Sequence, residues 1–336
     1  MRRTSADWDV EGDPADGTDG ATVPDGASRV DPVPLDASFA LCLTHDVDRP
    51  YKTYQSLFYG LTGPSRYHLR TLVSGENPYW QFDAVRTLEA ELGVRSAFYF
   101  LDEQRLFRDR PVRDWLDPAN WRRYLGRYSL SDPAITRVVR DLDAGGWEVG
   151  LHGSYESYRD VGRLGAEKAH VERLVGHGVI GGRQHYLNLD VPETWRIHRR
   201  LGLHYDASLG SSETVGFEFG YLPFRPFDDE FVVFPLSIMD NALPDSFEPA
   251  WRVCEETLAE AAEHGAVMTV LWHPRVFAER EFPGYRRLYR RLVERAQALG
   301  AWVGPPAALY ERIAGPAAGD RPGGATDATR TDGSDD

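Results

Sequence analysis

Lysine, cysteine and long apolar runs are scarce in this chain of 336 residues. Lys52 and Lys168 are the only two lysines, so 36 of the 38 lysine and arginine residues are arginine. Cys42 and Cys254 are the only cysteines, and neither has the spacing of a metal-binding or redox motif. No stretch approaches the roughly eighteen continuous apolar residues that a membrane span needs. No stripe or tail of basic residues is present either, which argues against nucleic acid as a partner.

Acidic residues outnumber basic ones, and many lie near the two ends of the chain. The formal net charge is -14, of which -6 belongs to residues 1–36 and -3 to residues 315–336. Both stretches have few large apolar side chains, so we expect disordered acidic tails there and one domain at residues 37–314. A surface rich in acids and poor in lysine is typical of proteins from salt-loving archaea, although a GC-rich genome also replaces lysine by arginine.

The amino terminus offers no targeting signal. Arg2 and Arg3 are not followed by the apolar run of a secretory signal or a membrane anchor. No Asn-x-Ser/Thr glycosylation acceptor occurs in the chain. We therefore expect a cytoplasmic enzyme.

Strand-like and helix-like patterns alternate through the predicted domain. Apolar strand patterns occupy residues 38–44, 95–100, 147–151, 179–185, 204–207, 231–236, 266–272 and 301–304. Amphipathic helix patterns lie between most of them, at residues 80–92, 132–144, 165–177, 192–201, 249–264 and 285–299. This alternation predicts an α/β fold with a mostly parallel sheet, and seven or eight units favour a barrel over an open sheet. Residues 49–78 and 101–131 are predicted insertions after the first two strands, on the active-site face.

Titratable side chains end several of these strands. The carboxyl ends of parallel strands meet on one face of a barrel, where barrel enzymes carry their chemistry. Asp and His are ligands of divalent metal sites that activate water. The pattern therefore indicates a metal-assisted hydrolase. The strand-end residues are His45, Asp46, Asp48, His152, Ser154, Arg183, His185, Asp206 and His273.

Five short motifs, in order, resemble those of the polysaccharide deacetylases, the NodB-homology or carbohydrate esterase family four group. They are Thr44-His-Asp-Val-Asp48, His152-Gly-Ser-Tyr-Glu156, Arg183-Gln-His-Tyr186, Asp206 within Tyr-Asp-Ala-Ser, and Leu271-Trp-His273. The resemblance covers about residues 38–310. It implies a distorted (β/α) barrel of seven or eight units and hydrolysis of an N- or O-acetyl group on a glycan.

The resemblance also implies roles for single residues. Asp46 would be the general base, Arg183 would hold it ionised, and His273 would be the general acid. Asp206 would tune His273. The metal ligands would include Asp48 and His152, and the metal would be zinc, with cobalt or manganese as alternatives. The expected substrate contacts are Leu271, which would line the acetyl pocket, and Tyr186.

The second motif departs from the family pattern at its last position. The family places a second histidine four residues after His152, where this chain has Glu156. The third ligand could be Glu156, Ser154 or His185, or water could complete the site, or metal binding could be lost. We favour His185, because strand alternation puts it on the same face as Arg183.

An aromatic loop at residues 216–227 follows the strand that carries Asp206. We expect it to lie over the pocket mouth, where Tyr221 would contact a sugar ring and Arg225 an anionic group. A hydrophobic plug at the barrel end is the alternative. For the whole chain, the alternatives to a glycan deacetylase are an amide hydrolase with a non-sugar substrate and a catalytically inactive, glycan-binding barrel.

Overall fold

One eleven-stranded sheet organises the part of the chain that the structure describes. The structure is a computed structural model, and it describes residues 22–24, 26–30, 36–52 and 77–314. The strands are β1 Ser28–Arg29, β2 Ala40–Val47, β3 Ala97–Leu101, β4 Glu148–Gly153, β5 Gly181–Gln184, β6 Tyr205–Asp206, β7 Phe224–Arg225, β8 Val232–Val233, β9 Leu236–Met239, β10 Val267–Leu271 and β11 Trp302–Gly304.

Helices cover the outside of this sheet. Within the described residues they are α1 Phe82–Glu91, α2 Leu106–Asp109, α3 Pro118–Tyr124, α4 Pro133–Ala144, α5 Val161–Val175, α6 Glu193–Arg200, α7 Phe247–His264, α8 Tyr285–Ala298 and α9 Pro306–Ala314. Asp132 caps α4 as its sequence predicts, because its side chain accepts a hydrogen bond from Ala134 N and Pro133 follows it. None of these described helices is long and apolar enough to cross a bilayer.

The strand order makes a curled, barrel-like sheet. The order is β1-β7-β8-β6-β5-β4-β3-β2-β10-β9, and β11 pairs with β2. In this order, every neighbouring pair from β8 to the last strand, β9, is parallel. Strand β7 pairs antiparallel with both β1 and β8. Among the described strands no ladder joins β8 to β9, so the barrel stays open there. The predicted α/β barrel is confirmed in this half-open form.

Alternation along β2 sorts its side chains between two layers. Leu41 and Leu43 pack outward into the large core between sheet and helices, whereas Cys42 packs inward beside Tyr99. His45 also points outward, and its Nε2 atom is 2.9 Å from a carboxylate oxygen of Glu89. Both side chains are fully buried. The inward row continues to Thr44 and Asp46, so β2 delivers its acid to the inside of the barrel.

Helix α9 closes the amino end of the barrel. Its Leu309 and Tyr310 pack with Ala40 and Val267, the first residues of β2 and β10. The backbone N–H of Ala307 donates to Glu148, the first residue of β4. The carboxyl ends of the strands are left for the candidate site.

The structure describes some parts of the predicted tails and insertions and not others. Strand β1 falls inside the predicted amino-terminal tail, and the disorder prediction is wrong for residues 28–30. Ser28 and Arg29 pair with Arg225 and Phe224 of β7, and Val30 is buried, because the edge strand offers unpaired backbone groups. The rest of that tail, apart from the described 22–24, 26–27 and 36, lies outside the described residues, as do residues 315–336. So do residues 53–76 of the first predicted insertion. The second insertion, residues 101–131, contains α2, α3 and a short 3₁₀ helix at Val112–Leu116.

Candidate active site

Three residues from separate strands meet at the carboxyl end of the sheet. Asp48 follows β2, His152 belongs to β4 and His185 follows β5. One potential ligand atom from each lies within 4.8 Å of the other two. Asp48 Oδ1 is 3.0 Å from His152 Nε2 and 3.7 Å from His185 Nε2. We call these residues the ligand cluster, because one carboxylate and two imidazoles suit a divalent ion such as zinc.

The charges of Asp48 and His185 suit this use, whereas for His152 burial lowers the pKa but the Asp46 and Asp48 carboxylates outweigh it and raise the pKa. Burial favours a protonated Asp48, but hydrogen bonds from His152 and His273 hold its pKa well below the ordinary value. Burial, together with the nearby Arg127 guanidinium, lowers the pKa of His185 to about 4. At neutral pH the carboxylate is therefore ionised and the His185 ring is neutral, the forms that ligate metals.

The second ring nitrogen of each histidine lies near a backing group, and for His152 this contact is a hydrogen bond. His152 donates from Nδ1 to the carbonyl oxygen of Arg183 at 2.9 Å. His185 Nδ1 is 3.5 Å from Oε2 of Glu103, close enough to face it but without a hydrogen bond. Metal-binding histidines are typically oriented in this way by a carbonyl or carboxylate partner. Both Nε2 atoms consequently face Asp48.

Glu103 is a residue that the sequence analysis missed. It follows β3 and is buried, accepting from the Tyr155 backbone N–H at 2.9 Å and from the Arg163 guanidinium at 2.8 Å. Burial raises the pKa of Glu103, but His185 and Arg163 outweigh this and lower it to about 2. The carboxylate is thus charged, held by Tyr155 and Arg163, and it lies beside the His185 ring. The available signal was weaker than for Asp48, because Asp102 stands between Glu103 and the end of β3.

The alternatives for the third ligand lie elsewhere. The Glu156 side chain is 45% exposed and forms a two-oxygen contact with Arg110, reaching 3.0 Å at Oε1. Ser154 donates to Glu167 at 2.5 Å. His185 faces Asp48, so the geometry agrees with the preference for His185.

Asp46 lies beside the ligand cluster and contacts the predicted arginine. Arg183 donates to Asp46 Oδ1 at 2.8 Å, to Thr44 Oγ1 at 2.9 Å and to the Ala207 carbonyl at 2.7 Å. The arginine is 1% exposed. The second oxygen of Asp46 is 3.8 Å from Nε2 of His152. One carboxylate oxygen is therefore tied to a buried cation, while the other is next to the cluster.

His273 faces the cluster from the opposite side. Its Nε2 is 3.3 Å from Asp48 Oδ2, and Nδ1 is 2.8 Å from Oδ1 of Asp240. Burial lowers the pKa of His273, but the Asp240 carboxylate outweighs this and the pKa reaches about 10. Arg275, also missed from the sequence, places a guanidinium nitrogen 3.9 Å from Asp48 Oδ2. Because its pKa is about 10, the His273 ring is protonated at neutral pH and available as a proton donor.

The prediction that Asp206 tunes His273 is wrong. Asp206 accepts from Trp195 Nε1 at 3.2 Å and from the Ser208 N–H at 2.9 Å. The carboxylate against His273 is Asp240, because it follows β9, the strand that pairs with β10. Asp206 belongs to β6, which pairs with β5 and β8. An acid directly after an apolar strand was again the available signal.

A small apolar cluster lies next to His273. Leu271, two residues before it and 1% exposed, packs at the carboxyl end of β10. This position suits the predicted contact with an acetyl methyl group. The other residues of the cluster, which the sequence analysis did not identify, are Leu187, Leu236 and Met239.

Tyr186 lies beside the ligand cluster on a strained backbone. Its ring centroid is 4.5 Å from that of His185 and 5.4 Å, edge to face, from that of Tyr155. Tyr186 and Leu187 have φ values of 58° and 54°, in the left-handed region that side chains rarely adopt. Such strain persists where surrounding structure holds the chain, commonly at functional sites. Tyr186 stays a candidate substrate contact.

The prediction that Tyr221 and Arg225 lie over the pocket mouth is wrong. Tyr221 accepts through its carbonyl from Val267 N, at the start of β10, and its ring stacks on His264 of α7 at 4.0 Å. Arg225 lies in β7, paired with Ser28. The loop after β6 therefore returns toward the amino end of the sheet, away from the site.

Comparison with known proteins shows the fold. No protein-family model and no curated protein matches this chain. A candidate polysaccharide deacetylase from Mycobacterium smegmatis is similar in structure, with 17% identity over 84% of this chain and 92% of that one, at a TM-score of 0.54. PuuE allantoinase is 12% identical over 83% of this chain and 91% of its own, at a TM-score of 0.56. A candidate polysaccharide deacetylase from Pseudomonas aeruginosa PAO1 is 12% identical over 82% of this chain and 91% of its own, at a TM-score of 0.53. The chain therefore has the fold of the polysaccharide deacetylases.

Proposed function

We propose that this protein is a metal-dependent hydrolase that removes N- or O-acetyl groups from a carbohydrate. One observation carries the proposal. A three-residue ligand cluster lies at the carboxyl end of a deacetylase-type sheet, with the buried Asp46–Arg183 pair beside it and a protonated His273 against Asp48.

The residues present fit a divalent ion. Asp48, His152 and His185 supply one oxygen and two nitrogens; the second nitrogen of His152 donates to a carbonyl, and that of His185 lies 3.5 Å from Glu103. Zinc suits three such ligands with an open position, and cobalt or manganese are alternatives. Such an ion supplies positive charge that polarises an acetyl carbonyl and acidifies water.

The protein's own groups divide the proton transfers. Asp46 takes a proton from the attacking water as the oxygen–carbon bond forms, and Arg183 keeps that carboxylate ionised beforehand. As the carbon–nitrogen or carbon–oxygen ester bond breaks, His273 gives its Nε2 proton to the leaving amine or alcohol. Asp240 holds the ring in place, and Leu271 packs against the acetyl methyl. Acetate and a deacetylated sugar result.

Acetate release tests the proposal. Purified protein is incubated with N-acetylated and O-acetylated oligosaccharides, before and after chelation and after readdition of zinc, cobalt or manganese. We expect acetate release that chelation abolishes and one of the metals restores. Metal uptake with no acetate from any glycan would contradict a carbohydrate deacetylase.

A second candidate is an amide hydrolase with a non-sugar substrate. The similarity to PuuE allantoinase, at a TM-score of 0.56, favours including it. The discriminating assay offers allantoin and other small cyclic or linear amides in parallel with the glycans. Binding of a glycan with neither turnover nor metal uptake would instead indicate an inactive glycan-binding barrel. A cytoplasmic location and a salt-adapted source stay predictions of the composition.

A further inference from the structure

An open groove of about 810 Å³ lies between the loop after β2 and the insertion that follows β3. This volume is within the usual range of ligand sites, about 300–1,000 Å³. We call it the arginine groove. Its lining includes Tyr51, Arg105, Phe107, Arg108, Arg127 and Asp132.

The positive charges of the arginine groove are poorly neutralised. Arg105 makes no side-chain ion pair with any residue in the described ranges. Arg127 gives its guanidinium hydrogens to the carbonyl oxygens of Arg123 and Asp48, at 2.8 and 3.4 Å. Arg108 is 75% exposed, with a loose 3.5 Å contact to Asp109. Three guanidinium groups therefore face one groove in a chain whose net charge is -14.

The groove offers little negative charge in return. Among the described residues that line it, Asp132 carries the one carboxylate. That carboxylate is already engaged, because it accepts from the Tyr51 hydroxyl at 3.0 Å and from Ala134 N at 2.9 Å. Unpaired guanidinium groups recognise carboxylates through two parallel hydrogen bonds.

One residue that lines the groove contacts the ligand cluster. Arg127 contacts the backbone of Asp48, so one end of the groove adjoins the cluster. Along its wall, Phe107 is 51% exposed and meets the rings of Trp115 and Trp121 edge to face, at 5.3 and 5.6 Å. Flat aromatic surface beside guanidinium groups suits a sugar ring that carries an acid.

We propose that the arginine groove binds carboxylate-bearing sugar units of the acetylated substrate. This inference rests on the proposed function and names its substrate class, an acidic glycan that contains uronic acid. The rest of the molecule is negatively charged and repels such a chain. The arginine groove supplies the local attraction that brings its acetyl group to the cluster.

The test compares two oligosaccharides of equal length. One alternates N-acetylglucosamine with glucuronate, and the other contains N-acetylglucosamine alone. In the Arg105→Gln/Arg108→Gln double variant we expect KM for the acidic oligosaccharide to rise about tenfold, because charged hydrogen bonds are lost. The kcat values and the KM for the neutral oligosaccharide should stay unchanged. Added salt should weaken the acidic oligosaccharide's binding to the parent.

A matched control removes the same charge elsewhere. Arg137→Gln/Arg286→Gln alters two exposed helix positions, on α4 and α8, that do not line the groove. It should leave both KM values unchanged. An equal effect of both double variants would reduce the inference to overall charge and overturn it. If a sulfated oligosaccharide without uronic acid binds as well as the uronate, the carboxylate assignment is overturned.

Calorimetric binding separates this inference from the proposed function. Binding of the deacetylated acidic oligosaccharide requires no turnover. If the parent binds it, and the groove variant binds about tenfold more weakly, the inference stands even when no glycan yields acetate. If acetate is released from neutral and acidic oligosaccharides with equal KM, the proposed function stands and the groove assignment fails.

Discussion

His273 and Asp240 are joined through both the ring and the backbone of the histidine. The carboxylate of Asp240 is 2.8 Å through Oδ1 from the ring Nδ1 of His273, and it accepts from the His273 backbone N–H at 2.6 Å through Oδ2. The ring therefore cannot turn without losing its partner, and Nε2 faces Asp48. This arrangement fixes both the direction and the charge of the candidate proton donor.

Removing the Asp240 charge should disable that donor. In Asp240→Asn we expect kcat to fall at least tenfold, because the pKa of His273, raised to about 10, drops toward its ordinary value near 6.5. A proton donor loses activity as pH rises through its pKa, so the alkaline limb of the rate profile should move to lower pH. Rate profiles and NMR titration of the His273 ring measure this.

Asp206→Asn is the comparison for that experiment. It should lower the free energy of unfolding, since Asp206 is fully buried and accepts from Trp195 and Ser208, but the alkaline limb should stay in place. A shift in Asp206→Asn with none in Asp240→Asn would restore the assignment made from the motif.

Asp46→Asn should remove the base. We expect kcat to fall by about 10²-fold or more. Because Arg183 is buried, losing its charge partner should also cost stability, on the order of 3 kcal/mol. Turnover is therefore measured per folded molecule. Thr44→Val removes another partner of Arg183 but keeps the carboxylate, so it should lose stability without a comparable loss of kcat. Near-normal kcat in Asp46→Asn would reject the base assignment.

The zinc affinity of single variants should show whether His185 is the third ligand and whether Glu103 orients it. His185→Ala should weaken zinc binding at least tenfold, and Glu103→Gln by roughly tenfold, because an orienting partner is lost. Glu156→Ala is the matched control and should bind zinc like the parent, since its carboxylate pairs with Arg110. Competition with a chromogenic chelator gives the three dissociation constants. Loss confined to Glu156→Ala would move the ligand there.

Glu148 should make stability depend on pH. Burial raises the pKa of Glu148 to about 7, against 4.5 for the ordinary carboxyl. Between these values the unfolded chain releases a proton that the folded protein keeps, so the free energy of unfolding contributed by Glu148 falls as pH rises from 4.5 to 7. Urea unfolding at pH 5 and pH 7 should show a smaller decrease in Glu148→Gln than in the parent. An identical decrease would mean that Glu148 is ionised throughout.

Single strands were readable from their residues because a short apolar run ending in an acid or a histidine is a local pattern. Asp46 and His152 were identified in this way and Arg183 as a charged residue at a strand end, and alternation placed His185 on the same face as Arg183. The Arg183–Asp46 contact is present as expected. The same rule, applied to β9, would have found Asp240, whereas after β3 it selects Asp102 before Glu103.

The partner of each side chain depended on strand order, which no local pattern carries. Asp206 and Asp240 both follow apolar residues. Of the strands that lead to these two acids, β6 and β9, only β9 is hydrogen-bonded to β10, the strand that leads to His273. In the same way, Tyr221 was assigned to the pocket from its place in the chain, whereas packing on α7 takes it to the other end. The strand-end chemistry was thus determined locally, and its pairing, orientation and charge were decided by neighbours that only the folded sheet brings together.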